Sequence, residues 1–161
     1  MAELTIESQS EAETQALGAR LADALQSGLT IALNGQLGSG KTHLVRSVCT
    51  ALGVNEDDVN SPTFVLMQTY AGGRLPVFHF DTYRLGDVDE FVAIGAEEYL
   101  LDPDVVCFVE WAARIAEVLP ADHLVIEIEQ TAATSRRFTI SSTGQISDAV
   151  IQRLALPTPQ L

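Results

Sequence analysis

One glycine-rich segment constrains this chain more than any other feature. Residues 35–42 read Gly-Gln-Leu-Gly-Ser-Gly-Lys-Thr and match the phosphate-loop pattern G-x-x-x-x-G-K-[ST]. An apolar stretch, Leu29 to Leu33, precedes the segment, and a helical pattern from His43 to Leu52, closed by Gly53, follows it. Because strand, loop and helix in this order are the context that the pattern requires, a glycine-rich turn without a ligand is the weaker alternative.

The residue types of this segment explain how it would hold a nucleotide. Glycines let the backbone curl so that successive N–H groups point at phosphate oxygens, and the following helix adds its free N–H groups. Lys41 would place its ammonium between the β- and γ-phosphates, and Thr42 would offer a hydroxyl to Mg²⁺. The nucleotide-binding residues predicted here are Gln36, Leu37, Gly38, Ser39, Gly40, Lys41 and Thr42.

Two later apolar strands each end in a carboxylate. The strand Leu75 to Phe80 ends at Asp81, and the strand Val105 to Val109 ends at Glu110. Ligands of open α/β sheets lie at the carboxyl ends of the strands, and Mg²⁺ prefers oxygen ligands. Asp81 is therefore the natural Walker-B residue, and Glu110 would either ligate Mg²⁺ or polarise the attacking water. The alternative for either acid is that it caps a loop or pairs with an arginine.

The remaining pattern predicts the organisation of the chain. Ser10 and Glu13 form a capping box ahead of a helix whose leucines recur at helical spacing. The other predicted elements are a strand at 64–70, a helix at 87–101, half-exposed strands at 124–129 and 137–141, and a helix at 148–156. We expect a single α/β domain over residues 1–161: a P-loop NTPase-like three-layer sandwich with a mixed, mainly parallel central sheet and an antiparallel edge.

Composition restricts the classes of function. The 161 residues include 22 acidic and 9 basic ones, for a formal net charge of −13. Tight binding of RNA or DNA needs a surplus of Lys and Arg, so we do not expect strong binding of nucleic acid by this chain alone. No apolar run approaches a membrane span and no secretory signal is visible, which fits a cytoplasmic protein. Cys49 and Cys107 lie among apolar residues and are expected to be buried thiols.

Three further features are less specific. Ser61-Pro62-Thr63 lies where switch loops of nucleotide hydrolases supply a threonine, although an ordinary turn is equally compatible with it. Trp111, the only tryptophan, follows the second strand-end acid and lies either in the core or near the nucleotide. His43, His79 and His123 lack metal-ligand spacing and are expected to serve in packing or to lie at the surface.

Taken in order, these motifs resemble those of the bacterial TsaE family. The matching segments are Gly35 to Thr42, Ser61 to Phe64, His79 to Leu85, Gly95 to Tyr99, and Val109 to Trp111. The P-loop alone is shared by many families. The elements Ser-Pro-Thr-Phe, His-x-Asp-x-Tyr-Arg-Leu and Glu-Trp in this order are much more specific.

The resemblance implies a function. TsaE proteins are ATPases that support the attachment of a threonylcarbamoyl group to adenosine 37 of tRNAs that read codons beginning with A. They act with the partners TsaB and TsaD, and ATP hydrolysis resets the complex between turnovers. The tRNA would therefore be reached only through the complex, and the cofactors would be ATP and Mg²⁺.

The resemblance also assigns roles by matching position. By this match, Lys41 and Thr42 would hold phosphate and Mg²⁺, Asp81 would be the Walker-B residue, and Glu110 would contact Mg²⁺. Thr63 would be the switch-like threonine, and Trp111 would lie close to the nucleotide. The N-terminal helix would contact the nucleotide near Glu11. His43 departs from the family, which often has a second threonine there. This position lies outside the required P-loop residues.

Three alternatives share the P-loop. A small-molecule or nucleotide kinase needs an acceptor pocket and usually an arginine-rich lid, whereas only Arg114 lies between Glu110 and Ala121. A GTPase-type switch would carry an Asn-Lys-x-Asp segment, which the sequence lacks. A scaffold that binds nucleotide without hydrolysing it is disfavoured by the two strand-end acids.

Overall fold

The fold is seen in a computed structural model that describes residues 2–36, 38–55, 57, 59, 67–83 and 85–156. Within these ranges the chain forms seven strands and five α-helices. The elements in chain order are β1 Glu3–Ser8, α1 Glu11–Ala24, β2 Leu29–Asn34, α2 Lys41–Leu52, β3 Met67–Tyr70, β4 Val77–Asp81, α3 Val88–Ala93, α4 Glu97–Leu100, β5 Val106–Glu110, a 3₁₀ segment Ala112–Val118, β6 Leu124–Gln130, β7 Arg136–Ser142 and α5 Gln145–Ala155.

The strands form one sheet in the order β1-β7-β6-β2-β5-β4-β3. Its centre is parallel, because β2 pairs in parallel with β6 and β5, and β5 with β4. One edge is antiparallel through β7 and β1, and at the other edge β3 runs antiparallel to β4. The predicted mixed sheet with a parallel centre and an antiparallel edge is confirmed, and the structure adds the second antiparallel edge at β3.

The two faces of the sheet carry separate hydrophobic cores. On one face Ile31, Leu33 and Phe108 pack in a cluster with residues of α1, α2 and α5. On the other face Ala32 and Val109 pack in a cluster with residues of α3, α4 and the 3₁₀ segment. Because β2 and β5 are buried on both faces, they read in the sequence as continuous apolar runs. The three layers of the predicted sandwich follow from this double burial.

The predicted helix from Asp87 to Leu101 is wrong as a single element. The structure has two short helices there, α3 and α4, with Gly95 between them. Gly95 has φ +75°, a left-handed conformation that ends helices and that glycine adopts at little cost. The apolar spacing of the segment continues across the break, so periodicity alone does not reveal it.

Other boundaries differ less from the prediction. The helix α2 begins at Lys41, two residues earlier than expected, and α5 begins at Gln145. The strand β1 is not predicted, because only Leu4 and Ile6 supply its apolar alternation. Residues 64–66 of the predicted strand at 64–70 lie outside the described residues.

Two further expectations concern the cysteines and the membrane. Cys49 and Cys107 are buried and free, as expected, and burial raises the pKa of each thiol to about 12. Of the helices that the structure describes, none combines the length and the apolar character needed to cross a membrane.

Candidate functional site

The phosphate-loop segment connects β2 to α2 through a left-handed turn. Gly38 has φ +82° and Gly40 has φ +107°, values that glycine adopts readily and residues with a Cβ rarely adopt. The turn is closed by a hydrogen bond from the Ser39 N–H to the Gln36 carbonyl oxygen, 3.0 Å. The helix α2 then starts at Lys41. The first N–H groups of a helix have no partner within it and its positive dipole end favours an anion, so this segment is suited to phosphate.

Ser39 provides a test of whether a ligand fits this loop. Its hydroxyl oxygen is buried and, among the described residues, is the only buried side-chain polar atom without a hydrogen-bond partner. A buried polar group left unsatisfied costs about 1–3 kcal/mol. A phosphate oxygen bound in the loop would supply the missing partner.

Lys41 is the only lysine in the sequence, and its side chain is only 7% exposed. Its ammonium donates a hydrogen bond to the Gly35 carbonyl oxygen, 2.8 Å, and lies 3.8 Å from Glu110 Oε1. The ammonium also lies 5.0 Å from the centre of the Trp111 ring, within the range of a cation–π contact. The P-loop lysine and two residues at the end of β5 therefore meet at one place.

The two strand-end acids lie side by side. Asp81 and Glu110 are Cα partners at the ends of the parallel strands β4 and β5, and Glu110 is also the Cα partner of Leu33 in β2. Asp81 Oδ1 accepts a hydrogen bond from the Tyr83 N–H, 2.9 Å, so Asp81 also caps a local turn. Glu110 is buried and, among the described residues, pairs with Lys41 and not with an arginine, whereas Arg84 lies outside the described residues.

The electrostatics of this pair favour a cation. Burial raises the pKa of Asp81 above its ordinary value. The Tyr83 N–H opposes this effect, the Glu110 carboxylate adds to it, and Lys41 opposes it. Within the described residues no group of three or more His, Cys, Asp or Glu side chains could hold a metal ion alone. Two carboxylates and a hydroxyl instead suit Mg²⁺, which is usually bound by one or two carboxylates together with substrate phosphates and water.

His79 contacts the site, although its sequence position does not predict this. It is fully buried in β4, and its Nε2 lies 2.6 Å from Glu110 Oε2. The expectation of ordinary packing is therefore incomplete. A signal was present in the sequence, because His79 is the polar residue of an apolar strand and lies two positions before Asp81, on the same face of β4.

Trp111 is not a core residue, so the packing alternative is wrong. Its side chain is 39% exposed and its ring lies 5.0 Å from the exposed Tyr83 ring. Among the described residues it is the only one other than glycine with a positive φ, +59°. The Thr82 hydroxyl lies 2.6 Å from the Trp111 carbonyl oxygen and 3.0 Å from that of Glu110. Thr82 thus fixes a strained backbone, and such strain is typical of functional sites.

A pocket adjoins the phosphate loop near the start of α2. It has a volume of about 120 Å³ and lies between the start of α1, the start of α2 and the loop that joins β6 to β7. Its lining includes Glu11, Gly40, His43 and Arg136. The structure therefore brings Glu11 next to the phosphate loop. Arg136 reaches the loop directly, because its Nε donates a hydrogen bond to the Ser39 carbonyl oxygen, 2.8 Å.

For the remaining predicted residues the structure gives a position in the fold or none at all. Thr42 is in the first turn of α2, and Gln36 and Gly38 are exposed in the loop. Leu37 and Thr63 lie outside the described residues, as does Arg84 of the His-x-Asp-x-Tyr-Arg-Leu motif.

Comparison with known proteins decides the family. A family model described as "Threonylcarbamoyl adenosine biosynthesis protein TsaE" matches residues 8–138. The chain belongs to the TsaE family. A Treponema pallidum protein named tRNA threonylcarbamoyladenosine biosynthesis protein TsaE is 35% identical over 134 residues, 83% of this chain and 97% of the relative. A Bacillus subtilis protein of the same name is 35% identical over 143 residues, 89% of this chain and 88% of the relative.

A solved structure agrees with this assignment. The crystal structure of YdiB from Bacillus subtilis superimposes with a TM-score of 0.74 at 29% sequence identity, covering 96% of this chain and 95% of YdiB. The resemblance to the TsaE family inferred from the motifs is confirmed, and with it a role in tRNA threonylcarbamoyladenosine biosynthesis.

Proposed function

We propose that the protein binds and hydrolyses ATP with Mg²⁺, and that it thereby supports threonylcarbamoylation of adenosine 37 in tRNAs that read A-starting codons, acting with TsaB and TsaD. The observation that carries the proposal is the meeting of the P-loop lysine with the strand-end acid, Lys41 with Glu110, beside the unsatisfied hydroxyl of Ser39. TsaE membership supports the biological role.

The phosphates would lie against the loop. Backbone N–H groups at the start of α2 and the Ser39 hydroxyl would bind phosphate oxygens, and Lys41 would exchange the Gly35 carbonyl for the β- and γ-phosphates. The pocket lined by Glu11, His43 and Arg136 is the adjacent space for the remainder of the nucleotide. Leu37 and Thr63 are proposed as further contacts on the basis of the motifs alone.

Thr42, Asp81 and Glu110 would hold the metal. The two acids are adjacent strand ends, and the Glu110 carboxylate contributes to the raised pKa of Asp81, an effect that a divalent cation would relieve. When bound, Mg²⁺ supplies neutralisation of the charge on the β- and γ-phosphates. A Glu110 oxygen would either face that ion or orient the attacking water.

The partner proteins are proposed to complete the site. Arginine fingers in P-loop enzymes can be supplied in trans and raise the rate by about 10³–10⁵. Arg114 does not provide one here, since its guanidinium lies over the Tyr83 ring and donates to the Leu85 carbonyl oxygen. We therefore expect slow hydrolysis by the protein alone and stimulation by TsaB and TsaD. tRNA would bind only through the complex, and the compartment would be the cytoplasm, where tRNA is modified.

Phosphate release tests this proposal. The purified protein is incubated with ATP and Mg²⁺, alone and with TsaB and TsaD, and products are separated in the presence of a panel of nucleosides and small hydroxyl compounds. Slow release of free phosphate that the partners accelerate is the expected result. Phosphoryl transfer to an acceptor would instead identify a small-molecule or nucleotide kinase, and a rapid rate unchanged by partners would contradict the dependence on the complex.

A further inference from the structure

The imidazole of His79 is enclosed in the core below the strand-end acids. None of its surface is exposed, and burying a polar ring costs free energy unless its nitrogens have hydrogen-bond partners. Both nitrogens have one: Nδ1 lies 3.4 Å from the Tyr70 hydroxyl, and Nε2 lies 2.6 Å from Glu110 Oε2. An apolar side chain would fill this space without that requirement, so the contacts rather than the packing explain a histidine here.

The two oxygens of Glu110 have different neighbours. Oε2 contacts His79, whereas Oε1 lies 3.8 Å from the ammonium of Lys41. The carboxylate is thus held from one side in the core while its other oxygen faces the P-loop. A glutamate side chain has three rotatable torsions and therefore many rotamers. The contact with His79 favours the rotamer in which Oε2 points toward the imidazole.

The surroundings hold the imidazole itself in place. In the register of β4 and β5, His79 is the Cα partner of Phe108, and Asp81 is the Cα partner of Glu110. The Phe108 ring meets the imidazole edge-on, with centroids 6.4 Å apart and an angle of 73°. The Tyr70 ring lies 6.1 Å away on another side. The position of the donor is therefore set by packed aromatic groups on neighbouring strands.

We propose that His79 is a positioning residue that orients Glu110 toward the metal and phosphate end of the site. Its Nε2–H would donate to the carboxylate oxygen Oε2 of Glu110, 2.6 Å away, while Nδ1 lies 3.4 Å from the Tyr70 hydroxyl. Oε1, which lies 3.8 Å from the Lys41 ammonium, would then be free to face the metal. Carboxylates that ligate metals are commonly held by such an outer hydrogen bond, and its loss typically weakens metal binding about 10–100-fold. The inference rests on the proposed function, since it gives Glu110 a metal-facing oxygen.

The test measures metal affinity and not only turnover. Mn²⁺ replaces Mg²⁺ as the probe, and free Mn²⁺ is followed by electron paramagnetic resonance during titration of the full-length protein with saturating ADP. His79→Leu is expected to raise the Mn²⁺ dissociation constant about tenfold or more. His79→Gln retains an N–H donor in its side-chain amide, so it is expected to keep most of the Mn²⁺ affinity that His79→Leu loses. Binding of ADP without metal, followed by Trp111 fluorescence, should change little in either variant.

Controls separate positioning from loss of structure. Ile126→Ala loosens the core on the same face of the sheet but leaves His79 and its aromatic neighbours in place, and it should leave Mn²⁺ affinity near the wild-type value. In a Glu110→Gln background, His79→Leu should have no further effect on Mn²⁺ binding. If His79→Leu does not fold, His79→Asn serves in its place, because it stays polar but its shorter side chain withdraws the donor from Glu110.

The outcomes distinguish this inference from the proposed function. Wild-type Mn²⁺ affinity in the Leu or Asn variant would overturn the role of His79, whatever the ATPase result. An equal loss of metal-free ADP binding and of Mn²⁺ affinity would also overturn it, because the residue would then be merely structural. If the wild-type protein with its partners released no phosphate from ATP, the proposed function would fail, while the effect of His79 on Mn²⁺ binding would still be measurable.

Discussion

Lys41 Nζ lies 3.8 Å from Glu110 Oε1, so the lysine of the P-loop and the acid at the end of β5 form an ion pair. Both side chains are nearly buried, at 7% and 6% exposure. Removing one partner of a buried pair leaves the other charge uncompensated, which destabilises a protein more than an exposed pair would. Substitution of either residue should therefore be judged by activity and by folding together.

Lys41→Ala is expected to abolish detectable ATP hydrolysis. The ammonium that would contact the β- and γ-phosphates is lost, while the loop backbone remains. Phosphate release in the presence of TsaB and TsaD measures the effect, and circular dichroism checks that the variant is folded. Hydrolysis at the wild-type rate by a folded variant would remove the P-loop proposal.

The single lysine also allows an independent check of the same prediction. An amine-reactive reagent can modify only the side chain of Lys41 and the α-amino group of this chain. Bound ATP with Mg²⁺ should protect Lys41 and leave the labelling of the α-amino group as an internal control, with both read by mass spectrometry. Equal modification of Lys41 with and without ATP would count against phosphate binding at this residue.

Glu110→Gln is expected to lower hydrolysis by about 10²-fold or more, a typical scale for losing one acid–base or electrostatic element. Folding should survive because Gln is nearly isosteric and its amide oxygen can still accept from His79. ADP binding should persist, since the loop and Lys41 remain, and Trp111 fluorescence can follow it because the ring lies beside Lys41. Normal hydrolysis with partners present would exclude Glu110 from the reaction.

The sequence allowed the central architecture to be predicted, and for a physical reason. The strands β2 and β5 are buried on both faces and are therefore mostly apolar, and the loop between β2 and α2 needs glycine where φ is positive. Both signals are local. The break at Gly95 was missed because the apolar spacing continues across it, and one glycine within a helical pattern is not decisive.

The site was predictable only as far as the backbone determines it. Strand ends that carry Asp81 and Glu110 are visible in sequence, and the parallel sheet places them together. The pairing of Glu110 with Lys41 on one side and His79 on the other depends on side-chain rotamers and on the register between β4 and β5. Neither follows from a single sequence, so the sequence predicts only packing or a surface position for His79.

Weak binding of tRNA by the isolated protein is expected. The net charge of −13 opposes a polyphosphate ligand, and counterion release requires Lys and Arg that the chain lacks. A filter-binding titration at several salt concentrations measures this, with the complex of TsaB and TsaD as the comparison. Tight, salt-sensitive retention of tRNA by this chain alone would contradict the prediction that tRNA is reached only through the complex.

Asp122 is expected to stabilise the start of α5. It accepts hydrogen bonds from the Ile146 N–H (2.7 Å), the Ser147 N–H (3.0 Å) and the Ser147 hydroxyl (2.6 Å). Burial alone would raise the pKa of Asp122, but these hydrogen bonds outweigh it and the pKa is lowered. Asp122→Ala should lower the free energy of unfolding by about 1 kcal/mol near neutral pH, as loss of a helix cap commonly does.

The sign of the pH dependence follows from the lowered pKa of Asp122. The stabilisation due to its charge is fully present above the unfolded pKa of about 3.9 and is lost as pH falls through the lower folded value. Urea unfolding of the wild type and of Asp122→Asn, which keeps an acceptor but cannot titrate, should therefore converge in stability at acidic pH. A difference that stays constant through this range would refute the assignment of the charge effect to Asp122.

Arg136 is expected to hold the phosphate loop in its binding conformation. Its Nε donates to the Ser39 carbonyl oxygen, 2.8 Å, and its Nη1 lies 3.1 Å from the Ser135 carbonyl oxygen, so it links the loop to the β6–β7 connection. A hydrogen bond from a charged donor contributes about 1.5–3 kcal/mol. If ADP binds only to the loop conformation that this hydrogen bond stabilises, Arg136→Ala should raise the ADP dissociation constant. The expected increase is about tenfold or more, since about 1.4 kcal/mol corresponds to a factor of ten.

The neighbouring Arg137 provides the matched control for this prediction. Its side chain is exposed and pairs with Glu7 and Glu129 at the surface of the sheet, and exposed pairs contribute little to stability. Arg137→Ala removes the same charge from the chain, so any general electrostatic effect on nucleotide binding should appear in both variants. A dissociation constant for ADP that rises only in Arg136→Ala would assign the effect to the contact with Ser39. Equal weakening of ADP binding in both variants would show that the effect is due to the net charge of the chain. No weakening in either variant would mean that the loop keeps its conformation without Arg136.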